Sequence, residues 1–120
     1  SGASVVGTTV LHPMWVIPGF ASAATTTAGL PIVMPRIGNW ESFLLVTRTP
    51  VSTASLTIDI NKNQTSIFNT IGRPNILGAG TLNSTASIST KNFVAGDVFT
   101  VDVDTGGNVA DITVIGKAIL

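Results

Sequence analysis

The chain has 120 residues, of which 44% are hydrophobic and only 10% are charged, and its six basic and six acidic residues leave no formal net charge. Because an ordinary soluble domain carries roughly 25% charged residues, this composition predicts that part of the exterior is buried against other chains. The lack of net charge disfavours nucleic-acid binding. The lack of cysteine excludes disulfides and thiolate sites. No apolar run reaches the roughly 18 residues of a membrane span.

The N-terminal third predicts little regular structure. Residues 8–17 indicate one or two short strands, whereas Ala21–Gly29 is a low-complexity run of small residues. Such a run is typical of a loop or an extended arm. We therefore predict one domain, with an arm and first strands over residues 1–39 and a β-sandwich core over residues 40–120.

The segment over residues 43–46 has no polar face. Phe43, Leu44, Leu45 and Val46 are contiguous, and a strand of this kind is covered on both sides. Two interpretations stay open. The segment is either a central strand with a loop over it, or a strand with one face against a neighbouring subunit. These four residues are the candidate oligomer interface.

Strict alternation follows along the chain. From Ser55 to Lys62 apolar and polar residues alternate, which predicts a strand with one core face and one polar face. Residues 61–64 then predict a turn into a short strand over Thr65–Asn69. The serine- and threonine-rich segment Leu82–Lys91 predicts a polar strand at a sheet edge.

The C-terminal segments repeat this alternation. Residues 97–104 and 111–120 predict two strands, and the turn residues 105–108 between them indicate a terminal β-hairpin. The whole chain then contains roughly eight short strands separated by turns. Short strands in this number, separated by turns, predict an all-β fold. The expected form is an antiparallel two-sheet sandwich of jelly-roll-like type.

Few residues in the chain could carry chemistry. His12 is the single histidine, and next to a proline in an apolar strand it is more typical of a structural or interfacial residue than of a base. Asp97, Asp102, Asp104 and Asp111 would lie near one another in the predicted hairpin, where a calcium site competes with an ordinary solvated face. We predict no catalytic residue, no metal and no cofactor, and therefore a chain that is not an enzyme.

The two tryptophans allow two interpretations. Trp15 and Trp40 are the only tryptophans in the chain, and exposed indoles are how proteins commonly hold sugars or partner proteins. Isolated tryptophans are also typical of a core. They are the candidate contacts for a partner or a glycan.

Four segments together resemble a known kind of module. They are Ala54–Phe68, Pro74–Ile76, Phe93–Val103 and Asp111–Val114. Their alternation and turns are similar to a structural module of tailed bacteriophages that occurs in tail fibres and in capsid decoration or cement proteins. The resemblance covers the C-terminal two-thirds of the chain. The sequence departs from it at Gln64, where such modules often have glycine, and in a shortened turn over residues 105–110.

The resemblance implies a jelly-roll-like sandwich, usually a homotrimer, on the surface of a virion and in contact with proteins such as the major capsid protein. The sequence contains no heptads typical of a fibre shaft. We therefore expect a capsid decoration or cement subunit. The alternative is a receptor- or carbohydrate-binding tip module of a tail fibre.

Overall fold

A computed structural model describes residues 9–21, 24, 29–52, 55–69, 72–85 and 87–120, and these contain eleven β-strands in two antiparallel sheets. The predicted all-β, two-sheet sandwich is confirmed. Within these ranges no helix is long and apolar enough to cross a membrane. The strands are β1 (Val10–Leu11), β2 (Met14–Ala21), β3 (Ile32–Val33), β4 (Gly38–Thr47), β5 (Ser55–Lys62), β6 (Thr65–Ser66), β7 (Asn75–Leu77), β8 (Leu82–Thr85), β9 (Asn92–Phe93), β10 (Val98–Thr105) and β11 (Val109–Ile119).

The first sheet has six strands and is centred on the two longest. β4 and β11 pair along most of their length, β1 and β2 extend the sheet beyond β11, and β8 and β9 extend it beyond β4. The second sheet has five strands, in which β10 and β5 are central and β3, β6 and β7 lie outside them. Strands from the first 39 residues therefore join both sheets. Of the predicted arm Ala21–Gly29, residues 22, 23 and 25–28 lie outside the described part of the chain.

The predicted terminal hairpin is wrong. β10 pairs with β3 and β5 in the five-stranded sheet, whereas β11 pairs with β1, β2 and β4 in the six-stranded sheet. Residues 106–108 thus cross between sheets instead of closing a hairpin. Both strands alternate in the same way because both direct one face at the same core, and alternation alone does not identify the partner of a strand.

Two local predictions are confirmed in place but not in extent. Asn63 and Gln64 both have positive φ angles, 49° and 74°, in a two-residue turn that joins β5 to β6, which is the geometry favoured in tight hairpins. The strand after this turn covers only Thr65–Ser66 of the predicted Thr65–Asn69. Of the predicted polar segment Leu82–Lys91, residues 82–85 form the edge strand β8, and residues 87–91 lie outside any strand.

The edge strand β8 has a specific polar arrangement. The amide of Thr47 donates to the carbonyl of Thr81, and the two-residue period of an antiparallel ladder then directs the Ser84 amide away from β4. That amide donates to Asn83 Oδ1 at 2.9 Å, while Asn83 Nδ2 donates at 2.6 Å to the carbonyl of Asn75 in the other sheet. Asn83 therefore satisfies a donor on the sheet edge and links the two sheets there.

An aromatic cluster fills the space between the sheets. Trp40 on β4 has ring-centroid distances of 4.7 Å to Phe43, 5.4 Å to Phe93 and 5.1 Å to Phe99 on the opposite sheet. Gly116 on β11 makes room for this cluster, since a Cβ atom there would lie 2.5 Å from a carbon of the Trp40 ring. The indole therefore packs directly on backbone.

We predict that Gly116→Ala destabilises the fold by about 1–3 kcal/mol, the usual cost of overpacking a core. Urea denaturation at a fixed protein concentration measures the change. Gly29→Ala is the matched control, because a Cβ at that position meets Trp15 at an ordinary 3.5 Å. Equal effects of the two substitutions would contradict the role of Gly116.

Candidate interaction surface

The outer side of the six-stranded sheet is apolar. Two rows of cross-strand neighbours run over four strands, and neighbours in register lie on the same side of a sheet. We call this surface the apolar face. Its rows are Met14, Ile115, Leu44 and Ser84, and Val16, Thr113, Val46 and Leu82.

Much of the apolar face is open to solvent. Met14 and Val16 are each 52% exposed and Leu82 is 60% exposed, while Leu44, Val46 and Ile115 are half-buried. A shallow depression of about 260 Å³ lies next to these residues and is lined in part by His12 and Lys117. A contiguous exposed apolar surface of this kind is more often an interaction site than a surface that only faces solvent.

An ion pair lies at each end of the apolar face. Lys117 Nζ is 3.4 Å from Glu41 Oε2 near one end of the β4–β11 pair, and Arg48 Nε is 2.7 Å from Asp111 Oδ2 near the other. Asp111 Oδ1 also accepts a hydrogen bond from the Gly19 amide at 2.8 Å. An apolar centre with charged ends matches the anatomy of protein–protein interfaces, which have an apolar core and a polar rim.

The structure divides the candidate interface residues between two sides of β4. Phe43 and Leu45 are each 1% exposed and belong to the core, whereas Leu44 and Val46 lie on the apolar face. β4 is a central strand, as one interpretation of the sequence expected. Only Leu44 and Val46 of the four residues are therefore placed to contact another subunit.

Both tryptophans lie in the core. Trp15 and Trp40 are each 1% exposed, and Trp15 Nε1 donates to the carbonyl of Phe99 across the sandwich at 3.4 Å. A stacking platform needs an open aromatic face. In this structure neither indole presents one, because the rings fill the space between the sheets.

The outer side of the five-stranded sheet is polar along its central strands, in contrast to the apolar face, while Val33 on β3 and Leu77 on β7 are exposed at its margins. Asp59 and Asp102 are cross-strand partners on this side, and like charges directly opposite each other are destabilising. Each carboxylate has a neutral hydrogen-bond donor. Ser66 Oγ donates to Asp59 at 2.5 Å, and Asn61 Nδ2 donates to Asp102 at 2.8 Å.

Arg73 supplies the positive charge on this polar side. Its guanidinium lies 2.7 Å from Asp104 and 3.4 Å from Asp59. Asp59 is buried, and the loss of hydration raises the pKa of its carboxyl, although Ser66 and Arg73 act in the opposite direction. The sequence analysis missed this group because Arg73 lies in an irregular segment with no pattern that indicates its partners.

Of the four carboxylates that the sequence predicts to lie together, Asp102 and Asp104 are two residues apart on β10, whereas Asp97 and Asp111 have other partners. Asp97 accepts hydrogen bonds from the Val94 amide and from Asn63, which lower the pKa of its carboxyl. Asp111 interacts with Gly19 and Arg48, which lower its pKa in the same way. The separation follows from the crossing between β10 and β11. Among the described residues, no group of three histidine or acidic side chains could hold a metal ion.

His12 has an ordinary structural contact. Its Nδ1 lies 3.3 Å from the carbonyl oxygen of Gly116. The imidazole therefore lies beside β11 at the margin of the apolar face.

Comparisons with known proteins were made on sequence and on structure. No protein-family model and no curated protein matches the chain. The structure is similar to the crystal structure of FLHE, with a TM-score of 0.43 and 10% identity over 88% of this chain and 96% of that one. It is also similar to a chain in the acidic stable capsid structure of Helicobacter pylori bacteriophage KHP30, with a TM-score of 0.33 and 9% identity over 95% of this chain and 94% of that one. These values are too low to assign a family or a function.

We predict that the intrinsic fluorescence of the folded protein is blue-shifted and poorly quenched by acrylamide, because both indoles are buried and the chain has no tyrosine. The variants Trp15→Phe and Trp40→Phe report each indole separately, with urea-unfolded protein as the reference. Strong quenching of either indole in folded protein would contradict its place in the core.

We also predict that the carboxyl of Asp59 contributes to the free energy of unfolding and that this contribution grows as the pH falls. A pKa raised above the unfolded value of 3.8 means that the folded state binds more protons between the two pKa values. The contribution is therefore complete below the unfolded pKa and is lost as the pH rises through the folded pKa.

The measurement is the free energy of unfolding from pH 7 to well below pH 3.8, the unfolded pKa of both carboxyls, for the native chain and for Asp59→Asn. The native chain should gain stability relative to the variant as the pH falls. The matched control is Asp97→Asn, for which the native chain should lose stability relative to the variant, because the Asp97 pKa is lowered. If lowering the pH changed the stability of the native chain in the same direction relative to Asp59→Asn and to Asp97→Asn, the opposite pKa shifts of the two carboxyls would be contradicted.

Proposed function

We propose that this chain is a non-catalytic structural subunit of a bacteriophage virion and that it works by packing against other protein subunits. The observation that carries the proposal is the apolar face, in which exposed Met14, Val16 and Leu82 surround half-buried Leu44 and Ile115. In a chain with only 10% charged residues, a surface of this kind is most stable when it is covered.

The two outer sides of the sandwich suit a subunit at the surface of a particle. The six-stranded sheet carries the apolar face, and the five-stranded sheet carries partly exposed charged groups that include Asp102, Asp104 and Arg73. A subunit with this asymmetry would direct the first side toward protein neighbours and the second toward solvent. We propose the place of a capsid decoration or cement subunit, with other copies and the major capsid protein as its partners.

The virion context rests on the resemblance of four segments to phage structural modules. In the structure these segments contribute β5 and β6, most of β10, and parts of β7, β9 and β11, so they supply most of the central strands of the five-stranded sheet. The alternative, a carbohydrate-binding fibre tip, gains no support from Trp15 and Trp40, which are buried. The non-catalytic part of the proposal rests on composition, since one histidine and no cysteine leave few nucleophilic or metal-binding combinations.

The test is to locate the chain in purified particles of the phage whose genome encodes it. Mass spectrometry of the particles should detect the chain, and gold-labelled antibody against it should decorate capsids. Absence from the particles would overturn the virion proposal. Label confined to the tail would overturn the decoration role and favour the fibre-tip alternative.

A further inference from the structure

We infer that the apolar face binds a second copy of this chain, face to face, in a two-fold symmetric pair. The inference rests on the proposed structural role and adds the identity of the partner at this face. Three observations favour a second copy over another protein: the charges at the ends of the face, its size, and its occurrence as one continuous surface.

Each end of the apolar face is electrically neutral overall. Each end of the β4–β11 pair carries one positive and one negative group, Lys117 with Glu41 and Arg48 with Asp111. Two-fold packing therefore brings no net charge against either end, whichever strand direction the second copy takes. A strongly charged partner would gain nothing at these ends, whereas an identical face matches them.

The size of the face suits a stable pair. β4 and β11 are 10 and 11 residues long, and β2 and β8 flank them. Because β2 and β8 are shorter, with 8 and 4 residues, the four strands together span roughly 500 Å², about two-thirds of the roughly 800 Å² that each partner contributes to a standard interface. The half-exposed side chains Met14, Val16 and Leu82 lose their remaining contact with water when this area is covered.

One continuous surface favours two-fold symmetry. A contact between two copies of the same patch is isologous and generates a pair, whereas a three-fold ring needs two different patches that match each other. The apolar face is a single patch, continuous over β2, β11, β4 and β8. Contact of this face with itself therefore gives a pair, whereas the homotrimer that the resemblance implies would need a second, different patch.

The first experiment is analytical ultracentrifugation of the whole chain over micromolar concentrations. The native chain should sediment as a dimer, and Val16→Lys should weaken association at least about tenfold, because it places a charge in the apolar contact. Val33→Lys is the matched control. Val33 is also a strand valine, 59% exposed, but it lies on β3 of the other sheet, and its substitution should leave the dimer intact.

The second experiment needs no substitution. The chain has two methionines, Met14 on the apolar face and Met34 in the core, which are 52% and 1% exposed. Oxidation by hydrogen peroxide, followed by mass spectrometry, should be fast at Met14 in dilute protein and slow at concentrations where the dimer forms. Oxidation of Met34 should be slow in both.

The outcomes separate the inference from the proposed function. A native monomer, a native trimer, or oxidation of Met14 that does not change with association would overturn the face-to-face pair, whatever the particles contain. If Val16→Lys does not keep the circular dichroism of the native strands, the Met14 result decides. Detection of the chain in virions tests the proposed function alone.

Discussion

The contact of Trp40 with the backbone of Gly116 and with Phe99 of the opposite sheet determines how the two sheets meet. Trp40 lies between β11, which provides space at Gly116, and the aromatic rings of Phe43, Phe93 and Phe99. Aromatic pairs of this kind stabilise by about 0.5–1.5 kcal/mol each beyond their buried area. With the indole in that place, β4 and β11 must direct alternate residues inward, and the remaining residues of both strands then form the outer side.

The outer side follows from this constraint and defines the candidate site. On most sheets that cover a single core, the solvent side is polar, and the five-stranded sheet follows that rule through the partly exposed Asp102, Asp104 and Arg73. The six-stranded sheet departs from it, because β4 contributes Leu44 and Val46 to a side that Met14, Val16 and Leu82 extend. One sandwich thus has two chemically different exteriors, and this difference supports the proposed role more directly than any single residue.

The sequence predicts local features well and long-range pairing poorly. Alternation over Ser55–Lys62 identifies β5, and the asparagine-rich turn after it has the expected positive φ angles. The terminal hairpin is wrong because strands that face a shared core have the same pattern whether or not they are neighbours. The same reason applies to the site. The run Phe43–Val46 indicates apolar contact on both sides of a strand, but no local signal places Met14 beside Ile115 or Arg73 beside Asp59, which are brought together only by pairing and loop packing.

The side-chain bond from Asn83 to the amide of Ser84 has a consequence for the shape of any assembly. A bare edge strand invites another strand, and edge-to-edge addition repeats without limit, as in fibrils. Here Asn83 Oδ1 accepts a hydrogen bond from the Ser84 amide, which an added strand would need as a donor. Asn83 Nδ2 donates to the carbonyl of Asn75 on β7 of the other sheet. Growth along this edge is thereby hindered, while contacts through faces end once the faces are paired. At the β8 edge, this arrangement favours closed assemblies over open-ended filaments.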